Sequence, residues 1–302
     1  MRDVGIHILL LLLLPPLLPG VIGKTKAFFA GRVGPPLLQP YYDILKLMRK
    51  GSVFSVTTTW VFCAGPVVGL ATALLAGLLV PFGGHRAPLS FPGDMILFAY
   101  LFALGRFFTA AAALDTGSAF EGMGAARELT FACLAEPALL FGMLVLAKLS
   151  DSLSLTGMLA GGYPLELGVT APALVLVAAS LFLVLLAENS RIPFDDPNTH
   201  LELTMIHEVM VLDHSGPAFG LIEYGATMKL MVTGAVWLRV AMPNAAADSW
   251  LGWILFLAGL LGLAVVIGVV ESVMARFRMV VVPTFLVAAC LLSAFGMVLL
   301  VR

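Results

Sequence analysis

The chain has 302 residues, 60% of them hydrophobic and only 12% charged, with a formal net charge of −1. A mean hydropathy of +1.03 excludes an ordinary water-soluble domain, in which roughly 25% of residues are charged. Lipid must be the solvent for most of this surface, and the net charge points to no class of partner.

Apolar runs predict eight transmembrane helices, at about 5–22, 60–82, 94–114, 134–150, 171–188, 218–240, 250–271 and 279–301. Each approaches the ~20 residues needed to cross the hydrocarbon. The fold class expected is therefore an all-α integral membrane protein, a single membrane domain over 1–302. The first run, GIHILLLLLLPPLLPGVIG, is broken by Pro15 and Pro16 and lacks an A-x-A cleavage site. It reads as a retained helix and not as a signal peptide. Residues 24–59 are too polar to span. Within them PPLLQPYYDILKLMRKG places Leu37, Leu38, Tyr41, Ile44, Leu45 and Met48 at helical spacing, with Asp43, Lys46, Arg49 and Lys50 on the other side. That pattern predicts an amphipathic interfacial helix between the first two spans, as a surface anchor or as a ledge for a partner.

The fourth run, 134–150, is the shortest. The segment before it, GSAFEGMGAARE, is Gly-rich and is expected to bend and to approach neighbouring backbone closely. The fifth run ends at Glu188. If its helix continues, Arg191 lies one turn further on, and Pro193 stops it. The loop that follows, about 189–217, gathers Arg191, Asp195, Asp196, Glu202, Glu208 and Asp213 with His200, His207 and His214. HEVMV is not HExxH, so a metalloprotease reading fails. Histidines seven apart share a face if the stretch is one helix. Metal-binding neighbours on a helix usually sit three or four apart, so hydrogen-bonded or partner-docked histidines are the better expectation, and no metal is assigned. Cys63, Cys133 and Cys290 sit singly in apolar runs, with no spacing suited to a disulfide framework or an Fe–S cluster.

Lys and Arg set the orientation. With eight spans, Lys24, Lys26, Arg32, Lys46, Arg49, Lys50, Arg127, Arg191, Arg276 and Arg278 share one side. The positive-inside rule makes that side cytoplasmic, with loops 24–59 and 189–217, and puts both termini outside.

Acids recur in or beside the spans: Asp115, Glu121, Glu128, Glu136, Glu188, Glu223 and Glu271, with Arg106 and Lys229 also inside runs. A charge at a helix centre costs about 2.5–3.5 kcal/mol even on insertion scales, so such residues face a bundle interior or a wet cavity. A single ion pair suffices to lock helices. A row of mostly unpaired carboxylates exceeds that need and suggests a buried proton or ion relay, because low dielectric disfavours the charged form of a carboxyl.

The run AENSRIPFD, then Glu202-Leu203, then Ser215-Gly216, resembles the cytoplasmic loop of subunit 1 of respiratory complex I. GRVGPPLLQPYYDILKLMRKG, Arg127 with Glu136, the Glu223-Tyr224 pair and, more weakly, Arg276 and Arg278 are similar to further stretches of that family. The stretch THLELTMIHE with LDHSGP and the segment LDTGSAFEGMGAARE look like the branch that anchors group 4 [NiFe] hydrogenases, which includes formate hydrogenlyase, hydrogenase-4 and the energy-converting hydrogenases. The resemblance implies a prokaryotic cell (inner) membrane complex. A [NiFe] large subunit and Fe–S subunits dock on the cytoplasmic face, antiporter-like subunits sit alongside in the membrane, and electrons from formate or ferredoxin reduce protons. The chain itself is then an anchor and ion-coupling subunit with no redox centre of its own. Glu136, Glu188, Glu202 and Glu223 carry over as members of a proton path, extended here by Glu128, Glu121 and Asp115. Arg127, Arg191 and Asp195 carry over as junction residues, joined by Asp196, Glu208, Asp213, His200, His207 and His214. Tyr41, Asp43, Lys46 and Arg49 mark the interfacial helix. A quinone-reducing or nickel-free relative is the alternative, and a stand-alone ion-coupled transporter or a purely structural anchor a more distant one.

Overall fold

The computed structural model describes residues 2–160, 170–195, 205–242 and 250–301, and all its long elements are helices. In chain order they are α1 Arg2–Leu13, α2 Leu17–Phe29, α3 Gln39–Met48, α4 Trp60–Leu79, α5 Asp94–Asp115, α6 Ala119–Ser150, α7 Leu155–Ala160, α8 Thr170–Glu188, α9 Gly216–Ala241, α10 Trp250–Val273 and α11 Val282–Val301. A single tight turn, Glu208–Val211, precedes α9.

Six of these helices (α4, α5, α6, α8, α10 and α11) are long and apolar enough to cross a bilayer. The pair α1 and α2 makes a seventh span, bent by 50° where Pro15 and Pro16 remove two backbone donors. The bent pair reaches Phe29, further than the expected 5–22. The expected count of eight is reached only by adding α9. That helix has 26 residues but carries Glu223, Lys229 and Arg239. It sits at the centre of the bundle, burying Met228, Met231, Val232, Ala235 and Arg239, while Lys229 pairs with Glu188 and Glu223 opens onto a cavity.

The run taken as the shortest span belongs to α6, the longest helix at 32 residues. Its polar first half, with Glu121, Arg127 and Glu128, lowers local hydropathy without ending the helix. The Gly-rich segment bends at Gly117, with φ +72°, and is helical from Ala119 onward, and it does approach its neighbours closely. A Cβ on Gly124 would stand 2.2 Å from Val209 Cγ1 and 3.0 Å from the Ile206 carbonyl oxygen.

The helices pack through small residues, as expected where hydrocarbon offers no hydrophobic drive. Gly65 of α4 lets α5 approach at Ala112, and Gly225 of α9 meets α4 at Leu70. Around α9, the helices α4, α8 and α10 pack their long sides. The expected interfacial helix is α3, though its packing face differs from the sequence reading. Tyr41, Ile44 and Leu47 are half-buried, whereas Leu37, Leu38 and Leu45 remain exposed.

Candidate functional site: a shared arginine between two cavities

The loops with the basic residues meet at one end of the bundle. Val53 N–H donates to Ser215 Oγ at 2.9 Å, and that hydroxyl donates to the Val53 carbonyl at 3.2 Å. Gly216 follows with φ +56°, and a Cβ there would lie 2.5 Å from the Gly51 oxygen. Only glycine fits both the backbone and the space. Phe277 N–H donates to the Pro193 carbonyl at 2.8 Å, tying the segment after α10 to the segment after α8.

Several junction residues hold this end together. Asp195 accepts from the backbone of Ile206 and His207 at 3.2 and 3.1 Å, and its other oxygen lies 2.9 Å from Arg276 Nη2. Arg127 Nη1 donates to the Met205 carbonyl at 2.9 Å. Glu121, though on the acid row, accepts from the Asp213 backbone at 3.0 Å and so fastens α6 to the same segment. Asp115 is likewise not with the other acids. It accepts from Thr59 N at 2.6 Å, from Thr59 Oγ1 and from Phe62 N, which caps the N-terminus of α4.

His207 and His214 do not share a helical face. The chain turns tightly over Glu208–Val211 between them. His207 and Glu208 line a cavity. His214 stands edge-on to Phe62, ring centroids 3.9 Å apart, and is 7% exposed. Burial pushes its pKa down to about 4, with Asp213 pulling the other way. Among the described residues no three His, Cys, Asp or Glu side chains gather as metal ligands. Asp196, His200 and Glu202 lie outside the described residues.

Four of the acids expected to be mostly unpaired, Glu128, Glu136, Glu188 and Glu271, face cations. Arg106, near the middle of α5, binds Glu136 of α6 through Nη1. Its Nη2 donates to Glu188 at the end of α8 at 2.5 Å, and its Nε lies 3.5 Å from Glu128 of α6. Lys229 of α9 lies 2.8 Å from the second oxygen of Glu188. One arginine thus joins carboxylates from two neighbouring helices, and a lysine from a third closes the cluster. Bidentate guanidinium geometry suits this sharing, since its planar fork offers five donors.

Arg191 does not pair with Glu188. Helix α8 ends at Glu188, before Pro193, and Ser190 adopts φ +50°. The turn directs Arg191 to Glu271 of α10, 3.5 Å away, where Lys26 of α2 also binds at 2.9 Å. The Glu271 side chain is fully buried. Arg106, Lys229 and Glu271 were legible as intramembrane charges, but their partnerships were not.

Two cavities meet at the cluster. A polar one of about 530 Å³ extends from Asp43 of α3, His207 and Glu208 past Glu223 and Glu271 to Glu128, Arg106 and Lys229. An apolar crevice of about 300 Å³ between α5, α6, α8 and α9 ends on Glu136, Arg106 and Glu188. Of the remaining predicted residues, Tyr41 donates to the Leu13 carbonyl and Asp43 accepts from Gln39 at 2.9 Å. Lys46 and Arg49 are exposed.

The chain is 32% identical over 284 residues to formate hydrogenlyase subunit 4 of Escherichia coli, covering 92% of this chain and 91% of the relative. It is 33% identical over 243 residues to hydrogenase-4 component C of the same organism, covering 80% and 75%. Among solved structures, a chain of the membrane-bound sulfane sulfur reductase, an archaeal respiratory membrane complex, superimposes with a TM-score of 0.80 over 99% of both chains at 20% identity. That likeness establishes the fold. The family model described as NADH dehydrogenase matches residues 3–302, and the chain belongs to that family, of the complex I subunit 1 type.

Proposed function

We propose that this chain is the membrane anchor and ion-coupling subunit of a membrane-bound [NiFe] hydrogenase complex. Soluble [NiFe] and Fe–S subunits dock at the end formed by α3, residues 205–215 and the segment after α10. Antiporter-like subunits adjoin it in the membrane. Hydrogen evolution with electrons from formate or ferredoxin drives proton or sodium movement. In this reading the soluble arm faces the cytoplasm and both termini lie outside, as the distribution of Lys and Arg favours.

The observation that carries the reading is the cluster of Glu128, Glu136 and Glu188 on the buried Arg106, of which Arg106, Glu128 and Glu188 are reached from the docking end by a polar cavity. Charges this deep are costly and mark ion pathways by default. The near full-length similarity to two hydrogenase components favours a complex subunit over a stand-alone transporter. This chain's own residues anchor the arm and hold the charges of the path, while partner subunits supply the redox centres. Of the proposed path, Glu136, Glu188, Glu128 and Glu223 border the two cavities. Asp115 and Glu121 brace the docking end, and Glu202 lies outside the described residues.

The test is the nickel content of the complex that copurifies with this chain in mild detergent. Stoichiometric nickel is the expected result. Fe–S subunits without nickel would transfer the reading to a quinone-reducing or nickel-free relative, and the absence of any soluble partner would return it to a transporter.

A further inference from the structure

The two cavities share a wall. Arg106 and Glu188 line both. Glu128 lines only the polar cavity and Glu136 only the apolar crevice. The guanidinium therefore touches a carboxylate on each side, Glu128 through Nε and Glu136 through Nη1, while Nη2 holds Glu188 in the wall itself. On the polar-cavity side, Lys229 fixes the other oxygen of Glu188. Among the described residues the cluster holds three carboxylates, Glu128, Glu136 and Glu188, and two cations, Arg106 and Lys229. A monovalent cation or a proton is therefore the species it can accept, and it can sit on either face of the guanidinium.

From this geometry we infer that Arg106 is the positioning residue of the ion path: a fixed cation that separates the polar cavity from the apolar crevice and governs exchange between Glu128 and Glu136. This rests on the ion-coupling reading above. When Glu128 takes up a cation, Nε loses its counter-charge, and the guanidinium is held only by Glu136 and Glu188. When Glu136 is the occupied one, the hold shifts to Glu128 and Glu188. Glu188 stays bound in both arrangements because Lys229 also secures it. The guanidinium thus needs only a small rotation about its pivot on Glu188, and no direct route past it opens. A fixed positive charge in the wall also repels a second cation, which prevents leak through an empty cluster.

Lysine tests this. It retains the charge but is a point donor on a flexible stem and lacks the planar fork that reaches three carboxylates at once. The intact complex, wild-type or Arg106→Lys, is reconstituted into lipid vesicles and supplied with reduced methyl viologen. Hydrogen reports turnover, while a lumenal pH dye and radioactive sodium report ion movement. The variant is expected to assemble and to evolve hydrogen, with ions moved per hydrogen reduced about fivefold or more, the lower end of usual coupling between sites. An unchanged ratio overturns the inference and leaves the ion-coupling reading intact. Failure of the variant to assemble beside an intact wild type assigns Arg106 a structural role alone, and also overturns it. A wild-type complex that evolves hydrogen but moves neither ion removes both.

Discussion

The carboxylate of Asp195 and the guanidinium of Arg276 lie 2.9 Å apart and join the segment after α8 to the segment after α10. The same carboxylate accepts two backbone N–H groups at the start of the 205–215 stretch. One side chain therefore organises three segments of the docking end. Asp195→Ala removes the carboxylate that meets Arg276 and accepts two backbone amides. The expected loss is about 3 kcal/mol of stability, the cost of breaking a buried pair by removing one partner. Thermal unfolding of the purified chain in detergent reads this, and the variant should also retain less of the soluble arm. An unchanged melting temperature would show that Asp195 is dispensable for the junction.

Glu188 and Glu136 both bind Arg106, but they are not equivalent. Glu188 is buried and also holds Lys229, whereas the Glu136 side chain is 44% exposed in the crevice. Glu188→Gln leaves two cations facing a neutral amide. It should destabilise the helix bundle more than Glu136→Gln, by at least ~1 kcal/mol. Adding Lys229→Met to Glu188→Gln should return part of the loss, because the lysine's charge is then removed with its partner. Equal melting temperatures for the two single variants would contradict this ordering.

His214 gives the docking end a pH dependence. Its folded-state pKa, about 4, lies below the ordinary histidine value of about 6.5. Between these values the unfolded chain binds the proton and the folded chain does not. Stability from this group is therefore complete above about pH 6.5 and falls as pH drops toward 4. The wild type should lose more melting temperature between pH 7.5 and 5 than His214→Gln does. Parallel curves for the two proteins would remove His214 as the cause.

The spans were legible because hydrocarbon thickness leaves a length signature that needs no knowledge of neighbours. Hydropathy failed where a helix continued through polar sequence. In α6 Gly124 packs against Val209 and Met210, and Glu121, Arg127 and Glu128 make the first half polar, so its composition reads as loop. The Ser215-Gly216 turn was legible as a motif, while its fit against Gly51 and Val53 became visible only in three dimensions. The acid row was visible as intramembrane charge, yet its pairing was not. Arg106, Glu136, Glu188 and Lys229 come from four helices, and nothing in their spacing says which helices meet. The Glu188–Arg191 contact, conditional on a continuing helix, is absent for a local reason: α8 stops at Glu188 and Ser190 is left-handed. Asp115 read as one more acid of the path, though its partner Thr59 lies at the start of a different helix.

Among its helix neighbours, α2 packs most extensively against α10, and Lys26 reaches the buried Glu271 there. The ribosome delivers α2 long before α10, with α3 through α9 between them. The bent span of α1 and α2 must wait in the bilayer, with Lys26 unmatched, until α10 has been inserted. Closure of the bundle is therefore a late event, and truncation before α10 leaves the first span without its main seat.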